Sequence, residues 1–280
     1  MGCKNMKTIK KEIEDLYYLE LTANYIAVND AYHGLSVMDF DLNPVRSIDL
    51  EDDTVINSSA KHDDELLLFC YENECAFYVN LKTGSICRYD LSKYSNVYFS
   101  HIYFWKDNMV YLFADDGEMT VKIDLISTDL VKLSPSEIFA IDKLKRYTEL
   151  PGKDILSYDN DNSGSALIIQ NADYCIWNPE NQTITDMDIV ALNQKIDELP
   201  SDQIYCKMSF SQDAVVCVSE EKMMVNIKNR ESSFIYPPYE TYRFFEGKLA
   251  YYNGGMALFA LCNDNSSEGA SLLMRYTDFD

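Results

Sequence analysis

Short hydrophobic runs separated by tight polar turns recur along the whole chain. The stretch from Glu65 to Leu91 shows this most clearly, because three runs rich in Leu, Phe, Tyr, Val and Ile are separated by the turns YENE and LKTG. Such runs, punctuated by Asn, Gly and Thr, are typical of antiparallel hairpins, and Gly84 is the residue type that a tight turn prefers. A small meander cannot bury both of its faces alone, so the pattern predicts that the unit repeats.

Six such units follow one another between residues 16 and 279. Each is predicted to hold four strands joined as hairpins, and the second strands begin near Tyr25, Glu65, Met109, Ser165, Ala214 and Lys248. These starting points lie 34 to 56 residues apart, within or near the length of a four-stranded propeller blade. Two segments with helical periodicity, at 136–144 and 189–199, fall between units.

The corner between the third and fourth strands is the best-matched part of the repeat. It has the form apolar–x–apolar–Asp/Asn–x–turn–apolar, as in MDFDLNPVRSIDL, YVNLKTGSICRYDL and VKIDLISTDLVKL. In this respect the chain resembles blades of the β-propeller superfamily over residues 16–279. It carries no Gly-His…Trp-Asp signature, no double glycine that recurs from unit to unit as in kelch blades, and no Tyr-Trp-Thr-Asp motif. The resemblance therefore implies a fold and no activity.

We accordingly expect an all-β fold, a six-bladed β-propeller with short helical inserts between blades 3 and 4 and between blades 4 and 5. Residues 1–15 would form an N-terminal segment and residues 16–280 a single propeller domain. Because four strands are assigned to both the first and the last unit, this interpretation provides no strand from the other terminus to close the ring. Either side-chain packing between the first and sixth blades closes it, or one of the unit boundaries is displaced by a strand. A pair of β-sandwiches and an open β-solenoid are the alternative folds.

The chain is strongly acidic, with 46 acidic against 24 basic residues and a net charge of -22. Such a surplus repels nucleic acids and anionic membranes and favours a basic protein partner. The acidic pairs fall in connections that the predicted register places on one rim of the disc, and a tyrosine beside them is a typical interface anchor. The predicted partner-binding residues are Asp52, Asp53, Asp115, Asp116, Glu118, Glu220, Glu221, Tyr239 and Glu240.

These features predict a non-catalytic binding protein that captures a basic protein on its acidic face. One concrete version is an immunity protein that neutralises a cationic nuclease toxin in the bacterial cytoplasm, as a monomer within a heterodimer. One alternative is a propeller-fold hydrolase, glycosidase-like, that acts through paired carboxylates. Another is a propeller scaffold in a larger complex.

Residue patterns that carry chemistry are sparse. No Ser-His-Asp, Cys-His or Gly-rich phosphate motif is present, so no cofactor is predicted. His33 and His62 are predicted on opposite rims, which argues against a shared metal site. Asp159, Asp161 and Ser163 match the first half of a calcium loop, but position 12 is Gln170 instead of the usual Glu. An ordinary turn is the alternative interpretation.

The cysteines and the N-terminus bear on the compartment. Eight cysteines form no CxxC pair, and most lie inside apolar runs, which favours buried thiols in a reducing cytosol. The N-terminal stretch lacks an apolar core of signal-peptide length, and no run is long enough to span a membrane. We therefore expect a cytoplasmic protein.

Overall fold

The computed structural model is built from antiparallel β-sheets. It describes residues 7–94, 97–106, 108–114, 120–126, 130–132, 166–170, 173–178, 183–186, 207–211, 214–230, 232–266 and 269–279.

Strand β1 spans Lys7–Glu14, and the next three sheets each consist of four consecutive strands. Sheet 1 contains β2 (Leu19–Leu21), β3 (Ile26–Asp30), β4 (Gly34–Met38) and β5 (Pro44–Asp49). Sheet 2 contains β6 (Ser58–His62), β7 (Glu65–Cys70), β8 (Cys75–Asn80) and β9 (Ser85–Asp90). Sheet 3 contains β10 (Phe99–Lys106), β11 (Met109–Ala114), β12 (Thr120–Asp124) and β13 (Leu130–Lys132).

The remaining strands form three further sheets, one of which includes β1. Sheet 4 contains β14 (Ala166–Gln170), β15 (Asp173–Asn178) and β16 (Thr183–Asp186). Sheet 5 contains β17 (Lys207–Ser211), β18 (Ala214–Val218), β19 (Met223–Ile227) and β20 (Ser233–Ile235). Sheet 6 contains β21 (Tyr242–Tyr252), β22 (Gly255–Asp264), β23 (Ala270–Thr277) and β1.

The prediction of a six-bladed propeller with helical inserts is wrong in this form. Four sheets, numbers 1, 2, 3 and 5, have the predicted make-up of four consecutive strands, against the six predicted. Sheet 4 is described with three strands, and the fourth strand of sheet 6 is β1, from the other end of the sequence. The described residues contain no α-helix, only a short 3₁₀ turn at Ser92–Tyr94. The predicted inserts at 136–144 and 189–199 lie outside the described residues.

The N-terminal strand completes sheet 6, so the assignment of four strands to the last unit by itself is wrong, and the alternative of a boundary displaced by one strand is the one observed. Strand β1 pairs antiparallel with β23 along its whole length, from Lys7 opposite Thr277 to Glu14 opposite Ala270. The error came from residues 242–252, which look like two strands separated by a Glu246–Gly247 turn. They form one strand with an irregularity between Phe244 and Glu246, which leaves the fourth position of the sheet for β1.

Strand β22 shows why some of the strands are apolar at nearly every position. Because side chains alternate between the two faces of a sheet, a strand that is covered on both faces is hydrophobic at every position. Leu258, Ala260 and Cys262 pack in a cluster with sheet 5. The alternating residues Ala257, Phe259 and Leu261 pack in another cluster with sheet 1. Sheet 6 is therefore buried between sheets 5 and 1.

The Asp or Asn at the turn between the third and fourth strands of a sheet stabilises that turn. The Asp39 carboxylate accepts hydrogen bonds from the backbone N–H groups of Asp41 and Asn43, both at 2.9 Å. The Asn80 side-chain oxygen accepts from the Thr83 N–H at 2.9 Å, and the Asp124 carboxylate accepts from the Ile126 N–H at 2.9 Å. Short polar side chains that bond to the backbone ahead of them stabilise tight turns, which explains why this corner recurs in the sequence.

The chain divides into two compact units. One comprises residues 1–52 and 187–280 and contains sheets 1, 5 and 6; the other comprises residues 53–186 and contains sheets 2, 3 and 4. In the second unit, a buried cluster that includes Leu67, Phe69, Trp105 and Leu112 joins sheets 2 and 3. Within the described part of the chain, no helix has the length and apolar character needed to cross a bilayer.

Candidate protein-binding groove

An open groove lies in the first unit where sheet 5 meets sheet 6. One wall is the turn of residues 219–222 between β18 and β19, and the other is the connection of residues 236–241 between β20 and β21. Both connections lie at the same end of the strands of sheet 5, because β18, β19 and β20 are antiparallel. The groove has a volume of about 430 Å³ and is lined by Glu221, Tyr236, Pro237, Pro238, Tyr239, Glu240, Tyr242 and Arg243.

Hydrogen bonds fix the turn that carries Glu221. The Ser219 N–H donates to the Lys222 carbonyl at 3.0 Å, and the Ser219 hydroxyl donates to the same oxygen at 2.8 Å. The Phe244 N–H donates to the Glu220 carbonyl at 2.9 Å, which joins the turn to the first strand of sheet 6. Glu221 is therefore exposed at the end of a tightly bonded turn.

The opposite wall is stiffened by proline and by a backbone contact. Pro237 and Pro238 restrict their own backbone torsions, and proline also limits the residue before it. The Tyr242 N–H donates to the Tyr239 carbonyl at 3.1 Å, which closes a turn at the start of β21. The wall that bears Tyr239 is thus shaped by the backbone as well as by side-chain packing.

Three tyrosines surround the groove. Tyr236 and Tyr239 are 63% and 57% exposed, so both rings are open to a ligand. The Tyr239 and Tyr242 rings lie 5.4 Å apart between centroids and are inclined by 56°. Burial, together with the nearby carboxylates of Asp264 and Glu12, raises the pKa of the Tyr242 hydroxyl above its usual value. Tyr242 is partly buried and adds a third aromatic ring to the lining of the groove.

Two cations lie beside these rings. The Arg243 guanidinium donates to the backbone carbonyls of Glu240 and Tyr242 at 2.7 and 2.9 Å, so it is held against the main chain. The Lys10 ammonium, on β1, lies 4.6 Å from the centroid of the Tyr239 ring. The closing strand of sheet 6 thereby reaches the groove.

Some of the residues predicted for partner binding lie in or next to the groove. Glu221, Tyr239 and Glu240 line it, and Glu220 belongs to the same turn as Glu221. The carboxylates of Glu220, Glu221 and Glu240 are all exposed.

The other predicted acidic residues fall elsewhere. Asp52 lies after β5, where its carboxylate is 3.1 Å from Nδ1 of His33 and both side chains are largely exposed. Asp53 is exposed and belongs to the second unit, where its backbone carbonyl accepts a hydrogen bond from the Asn73 side chain at 3.1 Å. Asp115, Asp116 and Glu118 lie outside the described residues.

Sequence reasoning missed part of the groove. Tyr236 and Tyr242 were recognisable as aromatic residues in a connection, and the adjacent Pro237–Pro238 pair was a visible signal of a rigid segment. Arg243 and Lys10 carried no such signal. Lys10 is more than two hundred residues from Tyr239 and reaches it only because β1 pairs with β23.

No metal centre emerges from the residues that the structure describes, among which no three His, Cys, Asp or Glu side chains are grouped to hold an ion. The calcium-loop candidates Asp159, Asp161 and Ser163 lie outside the described residues. The His62 ring stacks on that of Trp105 at 5.7 Å between centroids, and its Nδ1 is 3.8 Å from Oδ2 of Asp63. Cys70 and Cys75 lie opposite each other on β7 and β8 as buried thiols.

Comparison with known proteins identifies the fold. No protein-family model matches the chain, and no curated protein matches it in sequence. The WD40 repeats of RRP9 are similar in structure, with a TM-score of 0.57 at 7% identity over 99% of this chain and 98% of that one.

Two further solved structures are similar in fold to the chain at comparably low sequence identity. The β-propeller domain of Cps50 (Swd1) from Myceliophteria thermophila has a TM-score of 0.54 at 10% identity, covering 97% of this chain and 98% of that one. A member of the DUF4221 family from Bacteroides vulgatus has a TM-score of 0.52 at 10% identity, covering 97% and 96%. At such low identity the likeness concerns the fold alone. The β-propeller fold that the resemblance implied is confirmed.

Proposed function

We propose that this protein is a binding module and that the groove between sheets 5 and 6 holds a positively charged segment of a partner protein. The observation that carries this proposal is the combination of exposed Tyr236 and Tyr239 with the carboxylates of Glu221 and Glu240 in one groove. Tyrosine is favoured in protein interfaces because it contributes a large contact area at low cost in conformational entropy.

The rigidity of both walls supports the same proposal. Binding loses less conformational entropy when the surface is already ordered. The turn that carries Glu221 is closed by the Ser219 bonds to Lys222, and the opposite wall contains Pro237 and Pro238. A partner would therefore meet a groove whose shape is set before contact.

The charge of the chain indicates the chemistry of the partner. A net charge of -22 raises the local concentration of basic molecules and accelerates their association. The finer proposal is that the partner is a cationic nuclease of a bacterial toxin system, with this chain as its cytoplasmic inhibitor. Asp52, Asp53, Asp115, Asp116 and Glu118 then remain proposed contacts outside the groove.

The test first identifies the partner and then measures how much the groove contributes to binding it. We would purify the protein from its native host at low salt, identify any basic polypeptide bound in equal amount, and titrate that purified polypeptide by calorimetry. The double variant Glu221→Lys/Glu240→Lys should weaken binding by about tenfold or more, because like charges then face the partner.

A second double variant separates local from global electrostatics. Glu14→Lys/Asp49→Lys makes the same change in net charge at exposed strand positions outside the groove, and it should reduce affinity by less than about threefold. Equal losses in the two double variants would overturn the assignment of the groove. Absence of any basic partner, together with hydrolase activity in the purified protein, would overturn the binding function itself.

A further inference from the structure

The Tyr239 ring already holds a cation from its own chain. The Lys10 ammonium lies 4.6 Å from the ring centroid, which is inside the range at which a cation is attracted by the negative face of an aromatic ring. Lys10 is exposed, and its strand is the outermost of sheet 6. The side chain can therefore leave the ring without breaking the backbone pairing of Lys10 with Met274.

The surroundings of the ring favour a positive ligand over a neutral one. Glu221 and Glu240 line the same groove, and Tyr239 remains 57% exposed although Lys10 lies against it. Arg243 is the opposing charge, but its guanidinium is engaged by the backbone carbonyls of Glu240 and Tyr242. An incoming ammonium or guanidinium would thus meet an aromatic ring in a groove that two glutamates also line.

We propose that Tyr239 is the subsite for a lysine or arginine side chain of the partner, and that Lys10 occupies this subsite as an internal competitor in the unbound protein. The inference rests on the proposed function, since it names the chemical group that the groove recognises. Partner binding then exchanges one ammonium–ring contact for another, and the N-terminal strand tunes affinity without contacting the partner.

The probe for this subsite is N-acetyl-lysine amide, with N-acetyl-norleucine amide as its neutral counterpart of similar length. Aromatic NMR resonances of Tyr239 are followed at constant ionic strength. The lysine probe should produce a saturable shift and the norleucine probe none. Lys10→Gln should tighten lysine binding by about two- to fivefold, since it removes an exposed cation–ring contact.

Ring variants and a matched control complete the test. In these variants binding is followed on the aromatic resonances of Tyr242, whose ring lies 5.4 Å from that of Tyr239 in the natural protein. Tyr239→Leu should abolish binding and Tyr239→Phe should retain most of it, because attraction to the ring face does not need the hydroxyl. Tyr251→Leu removes another exposed tyrosine of sheet 6 and should change nothing. Unchanged affinity in Lys10→Gln, or equal shifts with both probes, would overturn the proposal.

Failure here is distinguishable from failure of the proposed function. If charge reversal at Glu221 and Glu240 abolishes partner capture while Tyr239→Leu and Lys10→Gln leave it unchanged, the groove binds by its carboxylates alone and the cation subsite is rejected. If none of these variants affects capture, both proposals fall.

Discussion

The hydroxyl of Tyr252 donates a hydrogen bond to the carboxylate of Asp41 at 3.0 Å, although the two residues are 211 positions apart. Tyr252 ends the first strand of sheet 6, and Asp41 lies in the last turn of sheet 1. The guanidinium of Arg275 binds the same carboxylate and donates to the Phe40 carbonyl at 2.6 Å. These contacts join the last sheet of the chain to the first.

Loss of the Asp41 carboxylate should weaken this junction. We expect Asp41→Ala to lower the free energy of unfolding by about 1–2 kcal/mol, because the largely buried Arg275 guanidinium loses its charged acceptor. Urea denaturation followed by fluorescence measures the change. Asp49→Ala, at an exposed strand position of sheet 1, is the control and should change stability by less than about 0.5 kcal/mol. Equal effects would show that the junction adds nothing.

Strand β1 should be needed for stability even though most of its side chains are exposed. Deleting residues 1–14 removes one of the two partners of β23 and leaves one side of that strand unpaired, which promotes pairing between molecules. We expect a lower thermal midpoint and self-association on gel filtration. Addition of a synthetic peptide of residues 1–16 should restore both properties. A monomeric truncated protein with an unchanged midpoint would contradict this prediction.

The buried ion pair between Glu20 and Lys248 makes a different prediction. Oε2 of Glu20 and Nζ of Lys248 lie 3.6 Å apart, and the side chains are only 7% and 8% exposed. Removing one partner leaves the other charge in a poorly solvated place, so Lys248→Met should lower the free energy of unfolding by about 3–5 kcal/mol. The double variant Glu20→Leu/Lys248→Met should recover most of this loss. Additive losses in the double-mutant cycle would show that the two charges are not coupled.

Stability at alkaline pH should depend on Tyr78. Burial, together with the hydrogen bond that its hydroxyl donates to Glu65 at 2.6 Å, raises the pKa of Tyr78 to about 12. Folding therefore favours the neutral phenol. This contribution is complete below pH 10, where the unfolded tyrosine ionises, and it is lost as pH rises to about 12.

Two variants test this assignment by urea unfolding at pH 8, 10 and 11. Tyr78→Phe removes the titrating group, so its free energy of unfolding should fall less between pH 8 and 11 than that of the natural protein. Glu65→Gln removes the charge that opposes ionisation of Tyr78 and should also reduce the slope. If both variants lose stability with the natural slope, the alkaline transition belongs to other tyrosines.

The sequence pattern predicted the local elements well where their hydrogen bonds are local. The three-stranded meander from β7 to β9 follows from the alternation of side chains along each strand. The Asp or Asn in the turns follows from side-chain hydrogen bonds that span two to four residues. Asp39, Asn80 and Asp124 are recognisable for that reason. The resemblance to propeller blades rested on these corners, and it identified the fold without an activity.

Gly247 shows where pattern reasoning failed. A glycine after Glu246 was interpreted as a turn between two strands, but Gly247 lies within β21 at a close approach between sheets. A Cβ atom there would lie 2.8 Å from Val218 and 2.9 Å from Met223. The sequence cannot distinguish a glycine needed for a turn from one needed for packing, since only the facing side chains decide. The miscounted strands of the last unit follow from this error.

The amino-acid composition by itself determines the overall acidity. The strand runs, the turns stabilised by Asp or Asn, and the aromatic, proline-rich connection at 236–239 are also set by the sequence, because each depends on neighbours along the chain. Folding alone places β1 beside β23, Arg275 against Asp41, and Lys10 over Tyr239. Those contacts join residues more than two hundred positions apart. The first and the last need β1 in sheet 6, and the contact of Arg275 with Asp41 needs sheet 6 to pack against sheet 1.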